Sequence, residues 1–299
     1  MERIVVAGGA GFLGGYTVRR LVQYGYQVWA THSPGRTPPT ISDVNWIECD
    51  LAKPDSSARW PSACDLVVYL AQSRNHRSFP DAAEDTFAVN VHGMHQAMHY
   101  AWRAGARGVI AASTGSIYTD TQKPAQETDP IELQVQRSFY VATKLAAEVL
   151  AAPYNAVLPV IQLRIFTPYG EGQNASMLFP QLVQRIREGR AVSLHGQKGL
   201  ILNPIYAGDV AEAIRCCLGL KQGGTFNLAG PESLDLRQIA KTIGKVLERE
   251  PVFEVQPANK PPVLVGTTDA LKAALAWAPT ICLETGLRTW LEPAHKACA

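Results

Sequence analysis

The segment Val5-Val6-Ala7-Gly8-Gly9-Ala10-Gly11-Phe12-Leu13-Gly14 decides the fold of this chain. Residues 4–7 are apolar and β-branched, which predicts a buried parallel strand, and residues 16–23 carry apolar side chains at helical spacing. Gly8 suits a tight turn, Gly11 lets backbone approach a pyrophosphate, and Gly14 lets the helix lie close to the strand. An ordinary glycine-rich turn is the alternative, but a glycine loop between a strand and a helix favours dinucleotide binding.

Composition indicates one globular chain with room for a full core and a smaller lobe. The 299 residues carry a net charge of +2, with 46% hydrophobic and 18% charged residues. This balance, without a basic run, argues against nucleic acid and anionic membrane as partners, and no apolar run is long enough for a bilayer. None of the six cysteines forms a CxxC pair, and no signal peptide is recognised. We therefore expect reduced thiols and a cytoplasmic location.

Short apolar runs alternate with helical patterns along the chain. The predicted strands are residues 27–31, 45–49, 65–70, 108–113, 157–166 and 224–228, and the predicted helices are 82–104, 138–151, 178–187, 207–220, 233–248 and 283–291. This alternation predicts an α/β fold, a Rossmann doubly wound parallel sheet with a smaller C-terminal α/β substrate lobe. We expect residues 1–166 plus about 204–230 to form the dinucleotide-binding domain. Residues 167–203 and 231–299, approximately, are then the substrate lobe.

Tyr140 and Lys144 form the second informative motif. Their spacing places both side chains on one face of a helix. A lysine ammonium beside a tyrosine favours the phenolate and lowers its pKa, so the tyrosine can move a proton while a hydride is transferred. Alone, the pair could be an ordinary surface turn of helix. The predicted strand ending in Ser113-Thr114-Gly115-Ser116 adds a hydroxyl that could orient the reacting oxygen, which favours catalysis.

These motifs resemble those of the extended short-chain dehydrogenase/reductases, specifically the NAD-dependent epimerase/dehydratase family that acts on nucleotide sugars. The resemblance extends over most of the chain, from the glycine loop through Phe87-Ala88-Val89-Asn90-Val91-His92-Gly93 and Leu163-Arg164-Ile165-Phe166-Thr167-Pro168-Tyr169-Gly170 to Phe226-Asn227-Leu228-Ala229-Gly230. It implies a catalytic set of Thr114, Tyr140 and Lys144. It also implies a homodimer through helices near 82–104 and 137–152. The implied cofactor contacts are Gly8, Gly11, Phe12, Leu13, Gly14, Asp50, Leu51, Leu70, Ala71, Gln72, Asn90, Ala112, Tyr140, Lys144, Phe166 and Pro168.

One departure from the family pattern concerns the cofactor. NAD-preferring members carry an acidic residue after the second strand, where this chain has His32-Ser33. That acidic residue holds the 2′-hydroxyl of NAD and would repel the 2′-phosphate of NADP. Its absence, with Arg36 nearby, favours NADP(H) over NAD. The alternative is that Arg36 lies in solvent on a proline-rich loop and NAD is bound.

Two further departures concern the reaction. Gly115-Ser116 stand where dehydratases of the family carry Asp-Glu, so 4,6-dehydration is disfavoured. Ser116 also occupies the cysteine position of members that epimerise next to a ketone. The remaining possibilities are 4-epimerisation by transient oxidation and one-way reduction of a keto sugar. A non-catalytic dinucleotide sensor or scaffold is the rival hypothesis, and the intact Thr114, Tyr140 and Lys144 argue against it.

The substrate is less well defined by the sequence than the cofactor. Leu202-Asn203-Pro204 replaces the family's R-D-F or R-D-Y, so the arginine that would hold a nucleotide diphosphate is missing, and Thr167 replaces the usual asparagine. A nucleotide sugar is expected from the resemblance, and a non-nucleotide keto substrate stays open. His92, His95 and His99 could share one helix face, but no carboxylate or cysteine joins them at useful spacing, so we predict no metal site.

Overall fold

The computed structural model describes residues 1–118, 123–133, 138–257 and 262–292. Its strands are β1 (Arg3–Ala7), β2 (Gln27–His32), β3 (Val44–Glu48), β4 (Leu66–Tyr69), β5 (Val109–Thr114), β6 (Val160–Ile165), β7 (Pro168–Tyr169), β8 (Val192–His195), β9 (Ile201–Leu202), β10 (Ile205–Tyr206), β11 (Gly224–Leu228), β12 (Leu234–Asp235), β13 (Phe253–Gln256) and β14 (Val263–Leu264). Its α-helices are α1 (Phe12–Gln23), α2 (Ala83–Phe87), α3 (Met94–Arg103), α4 (Phe139–Ala151), α5 (Leu178–Arg187), α6 (Ala207–Cys217), α7 (Leu236–Leu247), α8 (Asp269–Leu275) and α9 (Leu283–Leu291). None of these helices has the length and apolar composition that crossing a membrane requires.

A seven-stranded parallel sheet has the order β11-β6-β5-β4-β1-β2-β3. The predicted doubly wound α/β fold is therefore confirmed. The chain moves outward from β1 to β3 on one side and from β4 to β11 on the other. The strand order thus reverses between β1 and β4, and their carboxyl ends flank a crevice in which a ligand can bind.

Apolar side chains fill both faces of this sheet and a third region beyond it. One face packs against α1, α6 and α8, with Leu21, Ile214 and Leu271 fully buried. The opposite face packs against α3 and α4 through residues such as Met98 and Ala151. A separate cluster joins α5, α7 and α9 to the short strands that follow β6. This third core supports one wall of the crevice.

Three of the differences between the predicted and observed helices have identifiable reasons. The first begins at Phe12 rather than at residue 16, because Gly11 already accepts a hydrogen bond from Gly15 N at 2.9 Å. The predicted helix over 82–104 contains a π-helical segment, Ala88–Gly93, where the Tyr69 hydroxyl donates to Val89 O at 2.5 Å. The predicted helix over 233–248 begins three residues late, because Asp235 forms a capping box with Gln238.

Candidate active site

The glycine loop lies against the start of the loop that follows β4. Gly8 has φ +82°, and a Cβ there would lie 2.7 Å from Ala71 N, so both the turn and the close approach require glycine. A Cβ on Gly14 would lie 2.1 Å from Gly8 O, which explains why α1 can start directly over β1. No side chain caps α1 at Gly11, so the first N–H groups of this helix are available to a phosphate. The loop therefore fits the pyrophosphate of a dinucleotide.

A cavity of about 1890 Å³ extends from this loop along the carboxyl ends of the strands to α5. The β2–β3 loop lines one end of the cavity, and residues 172–174 and 177–179 line the other end. Most residues predicted from the sequence line it: Gly8, Gly11, Phe12, Leu13, His32, Ser33, Arg36, Asp50, Leu51, Leu70, Ala71, Gln72, Ala112, Thr114, Tyr140, Lys144 and Pro168.

Three predicted cofactor contacts are not part of the cavity wall, and each has a structural reason. Gly14 is covered by the turn of its own loop. Asn90 is buried and donates from Nδ2 to Thr143 Oγ1 at 3.0 Å, which ties the π-helical segment to α4. Phe166 is fully buried and stacks on Tyr118 with ring centroids 5.9 Å apart. These three residues are therefore buried behind the cavity wall and are not exposed on it.

Helix α4 places the predicted catalytic pair. Ser138 caps it by accepting Val141 N at 3.4 Å, so Tyr140 lies in the first turn and Lys144 one turn later. Lys144 is 4% exposed, and its Nζ donates to Ala112 O on β5 at 3.1 Å. The Thr114 side chain at the end of β5 lies close enough to the Tyr140 phenol to lower its pKa. The three residues expected from separate motifs are therefore neighbours on one wall of the cavity.

The electrostatics of this pair differ from the expectation. Burial raises the pKa of Tyr140 to about 12, and the nearby Thr114 side chain opposes this rise. Burial lowers the pKa of Lys144 to about 8, and the negative charge of Glu148 opposes this fall. The predicted lowering of the Tyr140 pKa by Lys144 is therefore wrong for this structure, in which burial raises that pKa and Thr114 is the group that lowers it. The Lys144 ammonium donates its hydrogen bond to the Ala112 carbonyl instead.

A buried ion pair lies behind Lys144. Glu148 and Arg164 are 2.7 Å apart, and each side chain is 8% exposed. Ser113 Oγ donates to the Glu148 carboxylate, and Arg164 Nη1 donates to the Tyr118 hydroxyl at 2.6 Å. The pair thus ties α4 and β6 to β5 at Ser113, the residue before Thr114. Sequence reasoning missed it, although Glu148 repeats the four-residue spacing of the catalytic pair.

At the other end of the cavity, two arginines meet near the end of β2. Arg74 Nη2 donates to Ser33 Oγ at 2.9 Å. Partial burial and repulsion from Arg74 both lower the pKa of Arg36, so the two guanidinium groups are neighbours. His32 packs edge-on against Trp46 with centroids 6.4 Å apart. Arg74 was missed from the sequence because it lies about forty residues from the β2–β3 loop that it contacts.

Two positions at which this chain departs from the family pattern are Leu202 and Thr167. Leu202, in the place of the family arginine, is 1% exposed within the third core, and Asn203 Nδ2 donates to Gly266 O at 2.7 Å. Thr167 lines the cavity with φ +39°, a strained conformation for a β-branched residue. Arg77, in the loop between β4 and α2, donates a hydrogen bond to Ser176 O, just before α5, at 2.8 Å. In the described part of the chain, no group of three or more potential ligand residues is arranged for a metal ion.

Residues 4–229 match the model of the NAD dependent epimerase/dehydratase family. The chain belongs to this family.

The chain is 27% identical over 303 residues to UDP-glucuronic acid decarboxylase 1 of Arabidopsis thaliana, covering 95% of this chain and 68% of the relative. The UDP-glucose 4-epimerase of Thermus thermophilus, solved with NAD, is 25% identical with a TM-score of 0.79 over 96% of each chain. The UDP-glucuronic acid 4-epimerase of Bacillus cereus, solved with UDP-glucuronic acid and NAD, has a TM-score of 0.82 at 23% identity over 96% of each chain. The family predicted from the motifs, an enzyme family of the extended short-chain dehydrogenase/reductase type, is confirmed.

Proposed function

We propose that the protein is an NAD(P)-dependent enzyme that oxidises and reduces a sugar carbinol, with a nucleotide sugar as substrate and 4-epimerase or 4-ketoreductase chemistry. The observation that carries the proposal is that Thr114, Tyr140 and Lys144 all line one cavity, which begins at the glycine loop. The similarity to a UDP-glucose 4-epimerase and to a UDP-glucuronic acid decarboxylase supports the substrate class.

In this proposal each residue has one role. Tyr140 takes the hydroxyl proton of the carbinol during oxidation and returns it during reduction. Thr114 holds the reacting oxygen, and Lys144 would hold the ribose of the nicotinamide. The nicotinamide accepts and returns the hydride when it is bound. No carboxylate follows Thr114, where Gly115 and Ser116 stand, so expulsion of water from the sugar is disfavoured.

The first test offers the purified protein UDP-glucose, UDP-galactose, UDP-glucuronic acid and their 4-keto derivatives, with NAD and NADP in turn. Interconversion of 4-epimers without net cofactor consumption identifies an epimerase. Consumption of NADPH or NADH with a 4-keto sugar identifies a reductase. Failure of all these sugars, with turnover of a free keto sugar acid, supports the second candidate, a reductase of a non-nucleotide substrate, which the burial of Leu202 favours. Cofactor binding without turnover of any substrate supports the sensor hypothesis.

For the cofactor we propose NADP(H) over NAD. Arg36 and Arg74 place two positive charges beside Ser33 at the end of β2, where the fold holds the adenosine ribose. Two neighbouring cations repel each other, and a 2′-phosphate between them would relieve that repulsion and accept their hydrogen bonds. The solved relatives with NAD show that NAD also fits this fold.

We also propose the domain division, assembly and location that the sequence predicts. Residues 167–203 and 231–299 would hold the substrate against the dinucleotide domain. A homodimer through α3 and α4 is supported by the exposure of Trp102, Val149 and Leu150, which are 51%, 64% and 45% exposed. Light scattering tests it, and a monomer at all concentrations contradicts it. The free cysteines of the described residues fit a reducing cytoplasm, and Cys298 lies outside those residues.

A further inference from the structure

We propose that His76 is a second substrate-binding group of the active site, a neutral hydrogen-bond acceptor for a hydroxyl next to the carbinol on which Tyr140 acts. The proposal rests on the proposed function for the identity of the reacting group. His76 lies in the loop between β4 and α2 and lines the same cavity as Tyr140. The two ring centroids are 5.0 Å apart, with the planes tilted by 56°. A substrate whose reacting hydroxyl contacts Tyr140 therefore also lies close to this imidazole.

The hydrogen bonds of His76 fix which nitrogen can accept. Nδ1 lies 3.1 Å from Ser73 O. A carbonyl oxygen only accepts, so Nδ1 carries the hydrogen and Nε2 keeps its lone pair when the ring is neutral. A polyhydroxylated substrate supplies the complementary donor.

The surroundings of the ring keep it neutral near pH 7. Burial lowers the pKa of His76 below the ordinary 6.5, and the positive charges of Arg77 and Lys144 lower it further, against the opposing bond to Ser73. The charged groups around it thus come from its own loop and from α4, and Tyr140 is the neutral ionisable group in contact. A protonated imidazole here would place a third positive charge beside two existing ones. The site therefore favours an acceptor at this position.

The loop that carries His76 is held at several points. Ser73 Oγ donates to Asp85 of α2 and accepts Asn75 N at 3.2 Å. On the far side, Arg77 donates to Ser176 O at 2.8 Å. Asn75 and Arg77, the residues on either side of His76, are both anchored. The imidazole is therefore preorganised for binding, and little entropy is lost when a hydroxyl bonds to it.

The consequence is a requirement for substrate structure. A sugar with a hydroxyl beside the reacting carbinol satisfies Nε2, whereas a deoxy analogue at that carbon leaves a half-buried acceptor unpaired. Sites built to bond a hydroxyl discriminate strongly against analogues that lack it. His76 would thus help select the substrate and orient its ring, while Tyr140 and Thr114 handle the proton.

Two measurements test the proposal. The first uses the holoprotein with NADP⁺ and follows imidazole nitrogen shifts by NMR, with His76→Asn for assignment. A neutral Nδ1–H ring with a pKa below 6.5 is expected. A pKa at or above that ordinary value, or an Nε2–H tautomer, would overturn the proposal whether or not any substrate is turned over. This keeps the test separate from a failure of the proposed function.

The second measurement compares His76→Phe with His195→Asn, an exposed control on β8, using the UDP sugar that the wild type turns over fastest. Phenylalanine keeps the ring contact with Tyr140 and removes the acceptor. We expect kcat/KM to fall about 10- to 100-fold, with cofactor affinity unchanged. The wild type and His195→Asn should lose kcat/KM as pH falls through the pKa of His76, and His76→Phe should lack this acid limb. A purely structural role for the ring would leave the limb in place, and that outcome would refute the proposal.

Discussion

The two ends of the cavity are built in different ways. At the end formed by Thr114, Tyr140 and Lys144, called the catalytic end after its proposed role, the side chains are fixed by a regular strand and a helix and supported by a buried ion pair. At the arginine end, formed by Ser33, Arg36 and Arg74, the side chains lie on exposed loops, one hydrogen bond joins Arg74 to Ser33, and the two guanidinium groups repel each other. Groups that move protons need fixed geometry and a controlled dielectric, whereas cofactor choice depends on a few surface charges.

This contrast implies different consequences of mutation. Changes at the catalytic end affect chemistry and stability together, because charges there are buried and share partners. Changes at the arginine end alter binding of one ligand and leave the fold intact. Variants at the two ends of the cavity separate these outcomes.

The largest effect is expected from Tyr140→Phe. Loss of the phenol hydroxyl removes the proton donor and acceptor, so kcat should fall by about 10³- to 10⁴-fold while cofactor affinity is retained. Steady-state kinetics with the best UDP sugar and a fluorescence titration with NADPH measure the two quantities. Turnover near the wild-type rate would show that Tyr140 is not the proton-transfer group.

Glu148→Gln should affect stability and the pH profile together. Arg164 and Lys144 would remain buried without their counter-charge, and the free energy of unfolding should fall by about 3–5 kcal/mol. Glu148 raises the pKa of Lys144, so its loss moves that pKa below about 8 and shifts the alkaline limb of kcat to lower pH. Urea denaturation and pH–rate curves measure these changes.

The matched control is Glu2→Gln, which removes an exposed partner of Arg107 in an ion pair of 2.7 Å. This variant should lower the free energy of unfolding by less than about 1 kcal/mol and leave the pH profile unchanged. Equal losses of unfolding free energy in Glu148→Gln and Glu2→Gln would mean that burial does not change what an ion pair contributes to stability.

At the arginine end, Arg74→Ala and Arg36→Ala should each weaken NADPH binding about 10- to 100-fold, because a charge-assisted bond to the 2′-phosphate is lost. NADH binding and thermal stability should hardly change, and Arg187→Ala on α5 serves as control. Titrations at two salt concentrations measure the effect, since an electrostatic contribution weakens with salt. Parallel losses for NADH and NADPH would place these arginines away from the 2′-phosphate.

The smallest effect is expected from Thr167→Asn. Asparagine tolerates positive φ better than a β-branched residue, so the variant should gain about 1 kcal/mol in the free energy of unfolding. Urea denaturation measures it. A loss of stability would show that the Thr167 side chain compensates for its backbone strain.

Short-range patterns predicted that Thr114, Tyr140 and Lys144 would meet at one end of the cavity. The glycine loop, the end of β5 and the Tyr140–Lys144 spacing are each local, and a parallel sheet brings strand ends to one edge. The supporting contacts were not predictable in the same way. Arg74 meets Ser33, and Glu148 meets Arg164, through pairings that depend on loop paths and strand order rather than on spacing. His76 gave no signal because a single histidine in a loop is unremarkable until a neighbour is known.

The sequence by itself determined the strand–glycine loop–helix unit, the parallel sheet and the family, because these follow from apolar periodicity and from residues only a few positions apart. The tertiary structure alone decided the balance of charges in the site. Burial sets the pKa values of Tyr140 and Lys144, and packing removes Phe166 and Asn90 from the cavity wall. Desolvation depends on every atom packed around a group, and that environment exists only after distant segments of the chain have come together.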